Sequence, residues 1–208
     1  MIENEADAID FIRQLSGQQA IDRLRQLHEM LAEENARQNL VSATSLAHVW
    51  VRHFADSAQL LLHVKHVAND KPWLDLGSGA GFPGVVLAIL RPEQEIVLVE
   101  SRRRRTEWLA RACSNLDLKK CRVEGKALEA VDTFAASVIM ARAFAPLGKL
   151  LDLASRFSES DTVWILPKGR MALEEVSKLP NSRFKMFHVE QSVTSPDAKL
   201  LIAKGKFR

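Results

Sequence analysis

The stretch Asp75-Leu76-Gly77-Ser78-Gly79-Ala80-Gly81-Phe82-Pro83-Gly84 constrains this chain more than any other feature. Its glycines crowd together directly after a short apolar run over 72–76 and directly before an apolar helical pattern over 83–90. A strand that feeds a glycine turn and then a helix opens a doubly wound sheet, and such a sheet places a nucleotide-bearing ligand at that turn. Glycine is needed there because a Cβ would keep the backbone away from the ligand and because positive φ is costly for other residues. Pro83 suits the first helical turn, where a missing N–H removes no hydrogen bond. A tight turn without a ligand would need neither the acid at Asp75 nor so many glycines.

The rest of the chain follows the same plan. Short apolar runs predict strands over 72–76, 95–99, 121–123, 137–140 and 162–166. Amphipathic stretches between them predict helices over 83–90, 103–115, 146–157 and 171–179. Alternation of this kind implies a parallel sheet with helices on both faces. Two final runs, 184–189 and 199–203, flank the turn-rich segment 192–197 and read as an antiparallel pair, which brings the sheet to seven strands. Ahead of this region Ile9, Ile12, Leu15 and then Ile21, Leu24, Leu27, Leu31 recur at helical spacing, with Ser16-Gly17 between the two sets. A helical rhythm returns over 46–67. The expected organisation is an N-terminal helical subdomain over 1–68 and a Rossmann-like domain over 69–208.

Composition narrows the class. With 208 residues, 47% hydrophobic and 26% charged, the chain is neither a disordered nor a disulfide-built protein. No apolar run approaches the ~20 residues of a membrane span, and the acidic start lacks the order of a signal peptide. Cys113 and Cys121 then read as reduced thiols of a cytoplasmic protein. Charge is uneven: the first 70 residues hold 6 Lys/Arg against 10 Asp/Glu, and the remainder 23 against 16. A basic larger part is compatible with a polyanionic partner.

Two ligands compete for the turn. Read from Gly79, it fits the dinucleotide pattern G-x-G-x-x-G. Read from Gly77, it gives acid-x-G-x-G-x-G, the first motif of S-adenosylmethionine-dependent methyltransferases. The apolar run stops at Leu76, so Gly77 opens the turn and the second reading is favoured. Asp75 would help a methionine ammonium and oppose a pyrophosphate. Glu100, ending the second strand, suits ribose hydroxyls of either ligand.

Further stretches sharpen the match. Asn39-Leu40-Val41-Ser42, then Val51-Arg52-His53-Phe54-Ala55-Asp56-Ser57, then the glycine turn, Arg91-Pro92, Glu100-Ser101, Ala141-Arg142-Ala143-Phe144-Ala145 and Lys168-Gly169 occur in this order. From about residue 39 onward the chain resembles the RsmG (GidB) family, bacterial methyltransferases acting on a guanine N7 of 16S ribosomal RNA. The resemblance implies a class I methyltransferase fold, rRNA methylation as part of rRNA processing, and 16S rRNA or the small ribosomal subunit as partner. It implies S-adenosylmethionine contacts at Gly77, Gly79, Gly81, Phe82 and Glu100, at Ala127 and Leu128 after the third strand, and at Arg142 after the fourth. Family members often carry an acid after the third strand; here the order is Lys126-Ala127-Leu128-Glu129, which leaves adenine recognition to backbone groups or to Glu129.

The chemistry of such a reaction is spare. Guanine N7 holds an in-plane lone pair and no proton, so placing it in line with the donor methyl carries most of the rate and no general base is required. No catalytic side chain and no metal are therefore expected, and a monomer suffices. Arg142 can donate to guanine O6 or hold a phosphate. Asn39, Arg52, His53, Arg103, Arg104, Lys168 and Arg170 are candidates for RNA contact through phosphates. Against this, Arg52 and Asp56 at four-residue spacing permit a simple ion pair, His53 fits a satisfied core residue, and a charge run such as 102–105 fits a solvated face. The competing functions are a methyltransferase for a protein or small molecule, a non-enzymatic RNA-binding protein of the same fold, and a nicotinamide oxidoreductase.

Overall fold

The structure is a computed structural model that describes residues 1–67 and 70–207. Helix α1 (Glu5–Asn35) forms where the apolar stripe is longest: Ile12, Ile21, Leu24, Leu27 and Leu31 are all buried. The side chain of Asn4 accepts from the backbone N–H of Asp7 at 3.0 Å and starts the helix. Gly17, at φ 77° and ψ −177°, kinks α1 where Ser16-Gly17 separates the two apolar sets.

The helical rhythm over 46–67 resolves into short pieces: α2 (Ala43–Ala47), a π-helical turn (Trp50–Ala55), α3 (Asp56–Ala58) and a 3-10 turn (Gln59–His63). The free N–H groups that open the π turn are satisfied from outside. Glu5 of α1 accepts from the backbone of Trp50 at 3.1 Å and of Val51 at 3.0 Å.

The sheet then follows: β1 (Trp73–Leu76), α4 (Gly84–Leu90), β2 (Ile96–Val99), α5 (Arg103–Asn115), β3 (Cys121–Glu124), β4 (Val138–Ala141), α6 (Leu147–Ala154), β5 (Val163–Lys168), α7 (Ala172–Ser177), α8 (Asn181–Phe184), β6 (Phe187–Gln191) and β7 (Lys199–Lys204). Strand order is β3-β2-β1-β4-β5-β7-β6. The first five strands are parallel, and β7 runs antiparallel to both its neighbours. Every residue of β1, β2 and β4 is buried, as expected for strands covered on both faces. One core, with Trp73, Leu98 and Met140, lies under α1, α4 and α5; the other, with Leu74, Val97 and Ile139, lies under α6 and α7. The seven strands, mostly parallel with a closing antiparallel pair, agree with the sequence reading.

Most boundaries shift by a residue or two, and the clearest difference is at β6. A strand was expected from 184, but Phe184 closes the short α8 and the strand starts at Phe187. The Pro180 carbonyl accepts from Arg183 and Phe184, each at 2.9 Å, and winds this segment into a single turn. Neighbouring strands diverge in order between β1 and β4, so the crevice beyond their carboxyl ends is where this architecture receives ligands.

Candidate active site

The glycine turn begins at Gly77. Gly77 and Ser78 donate to the Val99 carbonyl at 2.8 and 3.1 Å, and Gly81 and Phe82 donate to the Ser78 carbonyl at 2.7 and 3.2 Å. This winding places Gly77, Gly79 and Gly81 at φ 67°, 56° and 104°. The turn is held from two sides. Glu100 accepts from Gly79 N–H at 3.1 Å with one oxygen and from Arg102 N–H at 2.8 Å with the other, and Trp108 Nε1 donates to the Ala80 carbonyl at 3.0 Å. A Cβ on Gly79 would meet no atom closer than 3.6 Å. The nearest atoms are Arg105 Nη1 and the Gly77 carbonyl, and the φ favours glycine, so the lack of a side chain is what would let a ligand lie close to this backbone. Each Glu100 oxygen keeps lone-pair capacity for a ribose hydroxyl.

Asp75 is fully buried: Oδ2 accepts from Gly84 N–H at 3.1 Å and Oδ1 has no partner among the described residues. Burial pushes its carboxyl up to about 6. Through Oδ2 it pins the start of α4.

At the carboxyl end of β3, Ala127 is exposed with extended backbone (φ −61°, ψ 147°), and Leu128 is buried with its carbonyl accepting from Arg156. Glu129 is exposed on the following turn.

Arg142 comes just after β4, and its neighbours arrive from three elements. Its Nη1 lies 3.5 Å from Asp56 Oδ2, its Nη2 lies 3.0 Å from His53 Nδ1, and its guanidinium carbon stands 5.4 Å from the centre of the Phe82 ring. His53 stacks on Phe82 at 4.6 Å and 4°. The guanidinium has no acceptor lone pair, so Nδ1 of His53 accepts and Nε2 carries the proton; that atom is buried without a partner among the described residues. Burial, with Arg142 and Arg52 nearby, pushes His53 down to about 3, so the ring is neutral. Asp56 also accepts from Thr194 Oγ1 at 2.9 Å and Gln59 Nε2 at 2.8 Å. The Arg52–Asp56 pair that the spacing permitted is therefore not formed: Asp56 turns to Arg142 and to the β6–β7 connection, and Arg52 is exposed.

His53, Asp56, Arg142 and Thr194 border an open cavity of about 1160 Å³ at the carboxyl ends of β4 and β5. It brings together Arg52, His53 and Arg142 with Lys168 and Arg170. Lys168 pairs with Glu175 at 2.7 Å, and Arg170 with Asp197 at 3.2 Å. Asn39, Arg103 and Arg104 stand apart from it. Gln38 Nε2 donates to the Arg104 carbonyl at 3.1 Å, and Arg104 Nη2 to the Arg37 carbonyl at 3.3 Å, so the loop that displays exposed Asn39 is tied to the start of α5. Arg103 is 91% exposed and pairs with Glu107 at 2.9 Å. The first turn of α5 holds three arginines and no acid. Cations are disfavoured at a helix N-terminus, so this run gains from an external anion. Sequence reasoning missed Trp108, Thr194 and the cavity-lining role of Phe144; only Phe144 carried a signal, its place in Ala141-Arg142-Ala143-Phe144-Ala145. No group of three or more His, Cys, Asp or Glu suited to a metal occurs among the described residues.

The strand order, the glycine turn after β1 and the strand-end acid after β2 define a class I S-adenosylmethionine-dependent methyltransferase. Among solved structures, the chain is similar in fold to a variant of MtNAS in complex with S-adenosylmethionine (TM-score 0.57, 16% identity, 96% of this chain and 78% of that one). It is likewise similar to a precorrin-6y C5,15-methyltransferase from Geobacter metallireducens GS-15 (TM-score 0.55, 13% identity, 82% and 92%). The family model for rRNA small subunit methyltransferase G (GidB) matches residues 20–202. A protein of Erythrobacter litoralis (strain HTCC2594) named ribosomal RNA small subunit methyltransferase G is 50% identical over 206 residues, 99% of each chain. A protein of the same name from Novosphingobium aromaticivorans is 49% identical over 185 residues, 89% of this chain and 80% of its own. The chain belongs to the rRNA small subunit methyltransferase G family.

Proposed function

We propose that this enzyme transfers a methyl group from S-adenosylmethionine to N7 of a guanine in 16S ribosomal RNA, acting as a monomer in the cytoplasm on rRNA or the small ribosomal subunit. The observation that carries the reading is the family match over residues 20–202. The glycine turn and the basic cavity beside it support it. Among the described residues no helix is long and apolar enough to cross a membrane.

When bound, the donor supplies an electrophilic methyl group. We assign its binding to Gly77, Gly79, Gly81 and Phe82 of the turn, to Glu100 through ribose hydroxyls, to the backbone at Ala127 and Leu128, and to Arg142. The residues fit: a carboxylate with spare lone pairs, a turn of three positive-φ glycines and a buried aromatic wall meet at one strand edge. Arg142, held in place by Asp56 and neutral His53, presents its remaining N–H groups for guanine O6 or a phosphate. His53 contributes orientation and charge neutrality, since a ring that stays unprotonated above about pH 3 adds no positive charge beside Arg142. Arg52, Lys168 and Arg170 around the cavity, and Asn39, Arg103 and Arg104 beside the turn, hold the RNA backbone. No residue needs to take a proton from N7, so positioning and exclusion of water remain the protein's work. The helical subdomain, whose expected boundary at 68/69 lies outside the described residues, contributes Ser45, Arg52, His53 and Asp56 to the cavity wall.

Labelled methyl donor, the purified protein and small-subunit rRNA test this directly. The expected result is label in RNA, recovered after digestion as 7-methylguanosine. Label recovered in protein, or in another nucleoside, overturns it.

A further inference from the structure

We propose that Phe144 is the face on which the target purine lies, and that its ring stabilises the positive charge which appears on that purine during transfer. The inference deepens the functional reading above and rests on its N7 assignment.

Phe144 stands two residues beyond Arg142, at the point between β1 and β4 where ligands enter. Its place is set by Ala143, held at φ 56°, a backbone region that non-glycine residues seldom occupy. Such strain recurs at functional sites. The turn lays the Phe144 ring against the glycine turn, so that a Cβ on Gly77 would come within 2.8 Å of Phe144 Cδ2. The ring is half-buried and borders the cavity. Phe82 is covered by His53, which leaves Phe144 as the phenyl ring among the described residues that faces the cavity.

Charge bookkeeping explains why an aromatic ring belongs there. The N7 lone pair forms a bond to the methyl carbon, the bond from that carbon to sulfur breaks, and its electron pair stays on sulfur. The positive charge formerly on sulfur ends on the imidazole half of the purine, and no proton moves. An aromatic face attracts a cationic ring more strongly than a neutral one. Stacking on Phe144 therefore strengthens as the reaction proceeds, and only interactions that strengthen in this way accelerate a step. Arg142 acts with the opposite sign on a developing cation, and Asp56 beside it limits that cost. A leucine at 144 would keep the apolar contact and lose the response to charge.

The test uses the full chain as wild type, Phe144→Leu and Phe144→Trp. The first measurement is binding of 7-methylguanosine monophosphate against guanosine monophosphate, without methyl donor. Wild type should prefer the methylated nucleotide by about threefold to tenfold, Phe144→Trp should keep or raise that ratio, and Phe144→Leu should bring it close to one. The second is steady-state transfer to rRNA: Phe144→Leu should lose about tenfold in kcat with KM within about twofold, and Phe144→Trp should restore kcat. A wild type without preference for the methylated nucleotide overturns the inference by itself. So does a Phe144→Leu protein that keeps both the preference and kcat, or one whose melting temperature alone falls. Wild-type transfer to an atom other than N7 instead overturns the functional reading, and this inference with it.

Discussion

At Gly79 the backbone sits at φ 56°, and a side chain there would point between Arg105 Nη1 and the Gly77 carbonyl, each 3.6 Å from its Cβ. Valine there faces two separate penalties: the left-handed region costs roughly 1–2 kcal/mol for an L residue, and its methyl groups take the space a close-lying ligand needs. Gly79→Val is therefore expected to fold with a modestly lowered melting temperature and to lose measurable S-adenosylmethionine binding in calorimetric titration; ordinary affinity would remove the turn from the donor site. His53 makes a prediction in pH. Its folded pKa, about 3, lies below the ordinary value of 6.5, so as pH falls below 6.5 the unfolded chain takes up a proton that the native ring refuses, and stability drops. Asp75, raised to about 6, contributes in the opposite direction: its stabilisation is present below the ordinary value of 3.8 and is lost as pH rises through 6. The two offset each other between about pH 4 and 6. In His53→Asn, which keeps an acceptor for Arg142 but cannot titrate, the stability gap to wild type should narrow by about 2 kcal/mol between pH 7 and pH 5. A constant gap in denaturant unfolding would show that His53 is not held neutral.

Among the elements, α5 is built against its own dipole, with arginines where a helix favours acids. Replacing Arg103 and Arg104 with alanine should leave stability unchanged or slightly improved. The same change should weaken rRNA binding and flatten the plot of log affinity against log salt by about 1–2 in slope. An unchanged slope would take both residues off the RNA surface. Strand–turn–helix units of the sheet were legible because each restricts residue choice: Leu76 must be apolar, Gly77 must turn, and Pro83 must open a helix. The π turn over Trp50–Ala55 was not, because its apolar spacing resembles that of an α-helix and its cause lies 45 residues away in Glu5. Phe184 misled for a related reason: an apolar residue near a strand was captured by the preceding Pro180 turn.

For the molecule as a whole, the buried face of α1 shares a core with α4, α5 and one face of the sheet, and Arg111 of α5 pairs with Glu34 of α1 at 2.7 Å. Residues 1–68, which we treat as a subdomain, are thus expected to unfold together with the sheet in one calorimetric transition. Two resolved transitions would mean a separate unit. The donor-side half of the site was readable in the sequence because the glycine turn and Glu100 are close along the chain. The substrate-side half was not: Asp56, Arg142 and Thr194 meet only after folding, across separations of 86 and 138 residues, and partner choice at that range leaves no local pattern. Whether this cavity receives a guanine is decided most directly in rRNA from cells with and without the protein, by reduction and aniline cleavage, which breaks the strand at 7-methylguanine. The account predicts one cleavage in 16S rRNA that is present with the protein, absent without it and regained when the protein is supplied again. A cleavage pattern identical in both cells would contradict it.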